Sequence, residues 1–586
     1  MSRLSAAERV NLSWLVVRGA LNRLVASLAR RQIFYWPLFS AKADRLVIAP
    51  QDLRTADATR ATEIYAGRFA FAGKTVTCDA RSPFDMVAPS DEWAETLLGF
   101  GWLRHLRAAE SGITRANALA LVNEWMSIRS RSDPVAWRPD VVARRIMSFL
   151  CQSPLILHDA DMRFYRKFLR SLARQVRYLR RSLPATPDGV PRFQAVIALA
   201  SAALCMSGQS RHIKRATRRL VQEIERQILP DGGHISRNPN AVIEILFDLL
   251  PLRQVYTARN LAPPPALLNA IDRMMPMLRF FRHGDGNFAL FNGMGPTPHD
   301  ALTTILAYDD ARGAPVANAA YSGYQRVEAE GTVLLMETGA PPPLEMSQEA
   351  HAGCLSFELS ARSQRIVVNC GLPSSGRDNW RQVARATAAH ATVVFNDTSS
   401  AHIVETQLVR SLMRGAPLIG GPKKVDVSRA EQDDAIVLTT SHDGYADRFG
   451  IVHQRTLALA ADGRSLQGRD IFVPDIGASL PEAGALAYDI RFHLHPLVKA
   501  TRLTDGDTVM LVLPNRDVWT FETGQGQVAL EESVHLAGLE GPRRTTQIVV
   551  SGDARTNPDV RWSLSNVPPS EARARRRQEE EPELPL

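Results

Sequence analysis

Gly331-Thr-Val-Leu-Leu-Met-Glu337, followed by Leu355-Ser-Phe-Glu-Leu359 and Gln364-Arg-Ile-Val-Val-Asn369, marks where this chain changes its hydrophobic period. These are short, β-branched runs bounded by Gly, Asp and Ser, as strands require. Further runs follow at Ala391–Phe395, Ala435–Thr440, Arg455–Ala460, Asp489–His495, Thr508–Leu513, Val518–Thr523 and Thr546–Ser551. No helical period interrupts them, so the spacing predicts a large antiparallel β-sandwich and not an alternating α/β sheet.

Upstream of Tyr321 the period is helical. Trp93, Leu97, Leu98, Phe100, Trp102, Leu103 and Leu106 predict one strongly apolar helix. Helical patterns then cover 115–130, 138–152, 160–182, 192–207, 212–228, 240–257, 264–281 and 299–312. Pro- and Gly-containing turns at 153–154, 187–189, 230–233 and 263–265 separate several of them. Repeated helix pairs of this kind imply a solenoid or a toroid of hairpins. Before them, 40–90 reads as irregular, with short strands at Phe69–Phe71 and Lys74–Thr77. Four segments result: an N-terminal amphipathic helix and irregular stretch (1–90), a helical domain (91–320), a β domain (321–565) and a charged, disordered tail (566–586). Any active site is expected in the cleft between the helical and β halves.

A length of 586 residues exceeds what one core supports. A net charge of +9 suits a polyanionic partner: nucleic acid, an acidic membrane or an acidic polysaccharide. No reader module or aromatic-interleaved basic patch is present, so nucleic acid is not expected. The five cysteines are odd in number and lack a CxxC pair, which predicts buried free thiols. No stretch approaches a membrane span. Arg18, Arg23, Arg30 and Arg31 break the pattern of a secretory signal. Leu12, Leu15, Val16, Leu21, Leu24, Val25 and Leu28 share a helical face, which fits either a helix docked on the protein or one lying on a membrane surface.

There is no P-loop, GxSxG, HExxH or Rossmann glycine pattern, and no cofactor is expected. Two polar segments remain. Asp231-Gly-Gly-His-Ile-Ser-Arg-Asn-Pro-Asn240 lies between helices. Asn238 caps the following helix and Pro239 opens it, which leaves His234 and Arg237 unexplained by local structure. The second segment runs from Trp380 through Arg381, Arg385 and His390 to Asp397, with His390 at the mouth of a strand.

The His390-x-Thr392-x-x-x-x-Asp397 pattern, preceded by Arg385, resembles the β-domain signature of the heparinase II/III-like polysaccharide lyases. Gly353-Cys-Leu-Ser-Phe-Glu358 and Ile366-Val-Val-Asn-Cys-Gly371 resemble it too. The resemblance extends in architecture over about 90–560 and implies an incomplete α/α toroid followed by an antiparallel β-sandwich. It also implies β-elimination next to a uronic acid in an acidic polysaccharide. In that chemistry a carboxylate is neutralised, a base takes the C5 proton and an acid protonates the leaving oxygen. His390 corresponds to the catalytic histidine of the β domain, and a periplasmic or envelope location is implied, with a cytoplasmic one as the alternative because no clear secretory signal is read.

The sequence departs from the family at two places. Ala241-Val242 stands where the loop of its relatives carries Tyr-His, and Arg192-Phe-Gln-Ala-Val196 lacks the expected neutralising Asn. His234 then becomes the second proton-transfer group, and Tyr324, Tyr321 or Tyr308 the replacement phenol, with Tyr324 carried forward. Arg237, with Asn240, Arg385 and Trp380, becomes the substrate-binding set. The alternative is a non-catalytic glycan-binding or envelope protein that kept the fold. His493 and His495 alternate on a strand like two ligands of a structural zinc, but no third ligand is identifiable, so no metal residues are assigned.

Overall fold

The computed structural model describes residues 6–35, 45–79, 81–127, 133–308, 313–374, 378–413, 415–475, 486–504 and 506–567. The charged tail expected over 566–586 lies, from residue 568 onward, outside the described residues. The chain divides into two compact units. One comprises 1–232, 241–275 and 300–312; the other comprises 233–240, 276–299 and 313–586.

The first unit is helical: α1 (Ala6–Tyr35), α2 (Ala58–Tyr65), α3 (Asp91–Gly99), α4 (Leu103–Ala108), α5 (Gly112–Ser127), α6 (Pro139–Cys151), α7 (Ser153–Ile156), α8 (Met162–Ser182), α9 (Val190–Cys205) and α10 (Ile213–Gln227). The α9 sequence is apolar on nearly every face and is buried along almost its whole length, so it serves as a packing post for α6, α8 and α10. By contrast α8 buries Phe164, Phe168, Leu172, Val176 and Leu179 and turns its arginines outward. Its start is fixed by Asp161, whose carboxylate accepts the Phe164 N–H at 2.6 Å. Among the described residues a hairpin pairs Arg68–Phe71 with Lys74–Thr77, where sequence placed two short strands.

The single helix expected from Trp93 to Leu106 is two. Phe100 adopts φ +57° and ends α3 in a left-handed cap. Trp102 then turns back and donates its indole N–H to the Leu97 carbonyl at 2.9 Å. The apolar positions fit one helix, but burying Phe100 and Trp102 side by side requires the break.

Within this unit a cavity of about 480 Å³ is lined by Asp52, Arg54, Arg104, Arg144, Glu244 and Asp248, among others. Buried Asp248 receives Arg54 at 2.9 Å and Arg144 at 3.5 Å. Burial alone would raise its carboxyl; Arg54 and Arg144 outweigh that and hold it below the usual carboxylate range.

The second unit is built on antiparallel sheets. Five strands run in sequence order from Asn318–Ala319 through Tyr324–Ala329, Thr332–Glu337 and Phe357–Ala361 to Gln364–Val367. An eight-stranded sheet begins with the meander Val425–Glu431, Ala435–Tyr445, Ile451–Ala460 and Ser465–Pro474. Asp559–Val567 crosses over to pair with Ser465–Pro474. A four-stranded sheet places Val393–Phe395 beside Ala487–His493, which pairs in turn with Arg543–Asp553. Strict alternation of buried and half-buried residues along Ile451–Ala460 shows why this sequence is a strand with one core face. The shared core includes Phe357, Phe395, Phe492 and Trp562.

A buried polar knot crosses this core. Arg455 and His453 both bind Asp470, and the Trp562 indole N–H donates to the same carboxylate at 2.9 Å. Arg455 also donates to the carbonyls of Leu355 and Ala391, both at 2.8 Å. The sequence segments on either side of His390 are thereby clamped to the sheet. All five cysteines are buried and free.

Candidate functional site

The 231–240 loop starts with a tight turn. Gly232 has φ +87°, and a Cβ there would lie 2.1 Å from the Arg273 carbonyl oxygen, so only glycine fits. From Gly233 to Asn240 the chain belongs to the β unit. His234 is buried, and its Nδ1 accepts the Ser236 backbone N–H at 3.1 Å and lies 2.7 Å from Ser236 Oγ. Asn238 caps the helix Pro239–Ala258 as expected, with its Oδ1 accepting the Asn240 N–H at 2.9 Å.

Arg237 is held at φ +61°, a conformation uncommon for a side chain of its size. Its guanidinium is buried and each of its three nitrogens is engaged. Nε donates to Ser322 O at 2.9 Å, Nη1 to Gly339 O at 2.9 Å and Ala340 O at 2.7 Å, and Nη2 to Gly323 O at 3.1 Å. Nη1 also pairs with Glu337 Oε1 at 3.1 Å. A Cβ at Gly339 would stand 2.7 Å from Arg237 Cζ, so the guanidinium occupies the space a side chain would need.

Tyr324 closes the next link. Its buried hydroxyl donates to the Arg237 carbonyl at 2.6 Å and accepts Asn292 Nδ2–H at 2.7 Å. Burial pushes its phenol well above the ordinary tyrosine range. Asn292 also donates to Glu337 Oε1 at 2.8 Å, while its Oδ1 accepts the His351 N–H at 3.1 Å. Burial raises the Glu337 carboxyl above its usual value in spite of Arg237, and its Oε2 has no hydrogen-bond partner among the described residues.

His351 joins this network to His390. His351 Nε2 accepts the Gly293 N–H at 3.0 Å, so the proton of its neutral ring sits on Nδ1. That Nδ1 lies 2.9 Å from His390 Nε2, and His390 Nδ1 lies 2.8 Å from the Ala386 carbonyl. The only consistent assignment has His351 donating to His390 Nε2 and His390 donating to Ala386. Both rings are neutral. Burial pulls His390 down to about 4, and burial together with His390 and Arg385 pulls His351 well below the ordinary histidine value.

Residues 311–563 match the family model described as heparinase II/III-like, C-terminal. The chain carries a heparinase II/III-like C-terminal domain. Solved structures share its fold. A heparinase III structure aligns over 93% of this chain and 89% of its own at 14% identity with a TM-score of 0.68. A heparan sulfate lyase HepC mutant from Pedobacter heparinus aligns over 94% and 88% at 14% identity with a TM-score of 0.59. The helical region followed by antiparallel sheets is therefore the toroid-plus-sandwich arrangement that the sequence implied. Among curated proteins, FtsZ-localized protein C of Caulobacter vibrioides is 29% identical over 533 residues, covering 90% of this chain and 91% of that one.

Within the β unit, Arg237, Tyr324 and His390 meet in one buried network. The other expected residues have different surroundings. Arg385 is consumed by the carbonyls of Ala350, Ala416 and Ser347 at 2.7–3.0 Å. Trp380 is half-buried against the cluster of Cys370, Leu372, Ala384, Ala389 and Leu536. Asn240 is half-buried at the helix start. Tyr321 is exposed, and Tyr308 bonds Gln51 in the helical unit. The exposed rim is Glu349, which accepts Asn238 Nδ2–H at 2.9 Å and faces Arg381 at 3.5 Å. His493 spends both ring nitrogens on Ser533 Oγ and the Ala388 carbonyl, and His495 lies beside His535 instead.

Sequence reading missed Asn292, Glu337, Glu349 and His351. A signal existed for two of them. Glu337 ends the apolar run Thr332–Met336, where a charge must find a buried partner, and His351 stands two residues before the Gly353 motif.

Proposed function

We propose that this chain is a non-catalytic protein that keeps the polysaccharide-lyase fold, and that it serves the cell envelope at the site where FtsZ assembles. The observation that carries the reading is the state of His390. A base for β-elimination needs an accessible imidazole lone pair; His390 is fully buried and its Nε2 lone pair accepts the His351 N–H. Arg237, the group suited to a uronate carboxylate, is buried and has all three nitrogens turned to protein partners, four carbonyls and Glu337. Ala241 and Val242, standing where relatives carry Tyr-His, are buried apolar residues. The likeness to the FtsZ-localized relative of Caulobacter supports the cellular setting.

The test has two arms. The full chain is incubated with heparan sulfate, chondroitin sulfate, hyaluronan and alginate, and ultraviolet absorbance of an unsaturated product is followed. No rise is expected with any of them. In cells, a fluorescent fusion should colocalise with FtsZ. A rise in absorbance that His390→Ala abolishes would replace this reading by the second one, cleavage of an acidic polysaccharide, which the meeting of Arg237, Tyr324 and His390 favours. A fusion that never gathers with FtsZ would remove the cellular assignment.

A further inference from the structure

Helix α1 presents an apolar line to the outside. Val10, Trp14, Val17, Leu21, Leu24 and Leu28 are each 49–67% exposed. Their spacing of four, three, four, three and four residues places them on one stripe. The face read from sequence therefore splits: Leu15 faces inward and is buried, while Leu21, Leu24 and Leu28 do not. Arg18 lies over the exposed Trp14 ring at 5.1 Å, the pairing of aromatic and cation found at bilayer interfaces.

The helix on which α1 packs carries the complementary feature. Arg163, Arg166, Arg170, Arg174, Arg177 and Arg181 follow one another three or four positions apart on α8, and no acidic residue occurs from 162 to 182. At its end, burial and the like charges of Arg211, Arg215, Arg219 and Arg177 bring Arg180 down to about 10. A small pocket there is walled by Arg180, His212, Arg215 and Arg219 over Val196 and Leu199, which is a seat for an anionic group. So concentrated a positive charge is costly unless an anionic surface neutralises it.

We propose that α1 and the basic ridge of α8 dock this protein on an anionic lipid bilayer. The apolar stripe enters the acyl boundary and the arginines meet the headgroups, an in-plane attachment that uses no membrane span. Among the described residues no helix is long and apolar enough to span. Charge complementarity selects this occupant. Residues 6–35 contain five arginines and one acid, Glu8, so two copies facing through α1 would oppose like charges. The inference is independent of whether the β unit cleaves a glycan.

Co-sedimentation of the full chain with vesicles tests it. Phosphatidylglycerol vesicles should pellet the protein, and phosphatidylcholine vesicles should not. Leu21→Glu/Leu28→Glu should weaken binding more than tenfold. Arg163→Glu/Arg170→Glu should do the same and flatten the salt dependence. All four positions are exposed, so both double variants should keep the wild-type circular dichroism and melting curve. Equal pelleting by wild type and both variants, or none by wild type, overturns the proposal. So does a wild-type dimer in sedimentation velocity that Leu21→Glu/Leu28→Glu converts to monomer without any change in lipid binding.

Discussion

The cavity of the helical unit and the polar network of the β unit hold similar side chains in opposite states. Around the cavity, Arg54 and Arg144 share Glu244 and Asp248 beside open space of about 480 Å³. Around Arg237 and His390 there is comparable polarity with the partners turned on one another, Glu337 Oε2 excepted. A buried polar group costs little only when it is fully paired, and full pairing removes it from chemistry. Residue type alone therefore points toward catalysis in the β unit, and geometry points toward architecture.

The sharpest way to break this contrast is Arg237→Ala. It strands the buried Glu337 and four carbonyls, so a loss of about 3–5 kcal/mol is expected in urea unfolding followed by circular dichroism. A variant as stable as the wild type would mean that the guanidinium is available for a ligand after all.

The pH dependence comes next. His390 is depressed from 6.5 to about 4 by burial. Below pH 6.5 the unfolded chain therefore binds a proton that the folded one refuses. This contribution is complete above pH 6.5 and is lost as pH falls toward about 4, up to about 3 kcal/mol for this one ring. His390→Asn should flatten that part of the stability profile. An unchanged profile would show that the ring is open to protons.

Asp248→Asn tests the other side of the comparison. It removes the charge facing Arg54 and Arg144, and a loss of about 1–3 kcal/mol is expected by the same unfolding measurement. Smallest of all should be Arg381→Ala at the exposed Glu349 rim, within about 1 kcal/mol in thermal melting. If Arg381→Ala exceeds Asp248→Asn, the rim is more tightly organised than its exposure indicates.

Much of this was legible beforehand, for a physical reason. Helix and strand periods are local, so α8, α9 and the change of period near Tyr321 were readable from spacing. The Asn238 cap was equally local. The break at Phe100 was not, because a left-handed residue is set by what its ring and that of Trp102 pack against. At the site, His390 and Arg237 stood out as polar residues in informative places. Their partners Asn292, Glu337 and His351 come from three separate stretches, and only folding decides that the lone pair of His390 is filled. Sequence named three participants of the network, Arg237, Tyr324 and His390, and left open whether they face solvent.

The guanidinium of Arg237 rests where a side chain at Gly339 would otherwise begin. Occupation of that space is exclusive: an arginine at 237 and a larger residue at 339 cannot coexist on this backbone. The two positions must then change together or not at all. Any related chain that replaces Gly339 is expected to have surrendered the arginine as well, and with it the internal counter-ion that lets Glu337 remain in the interior.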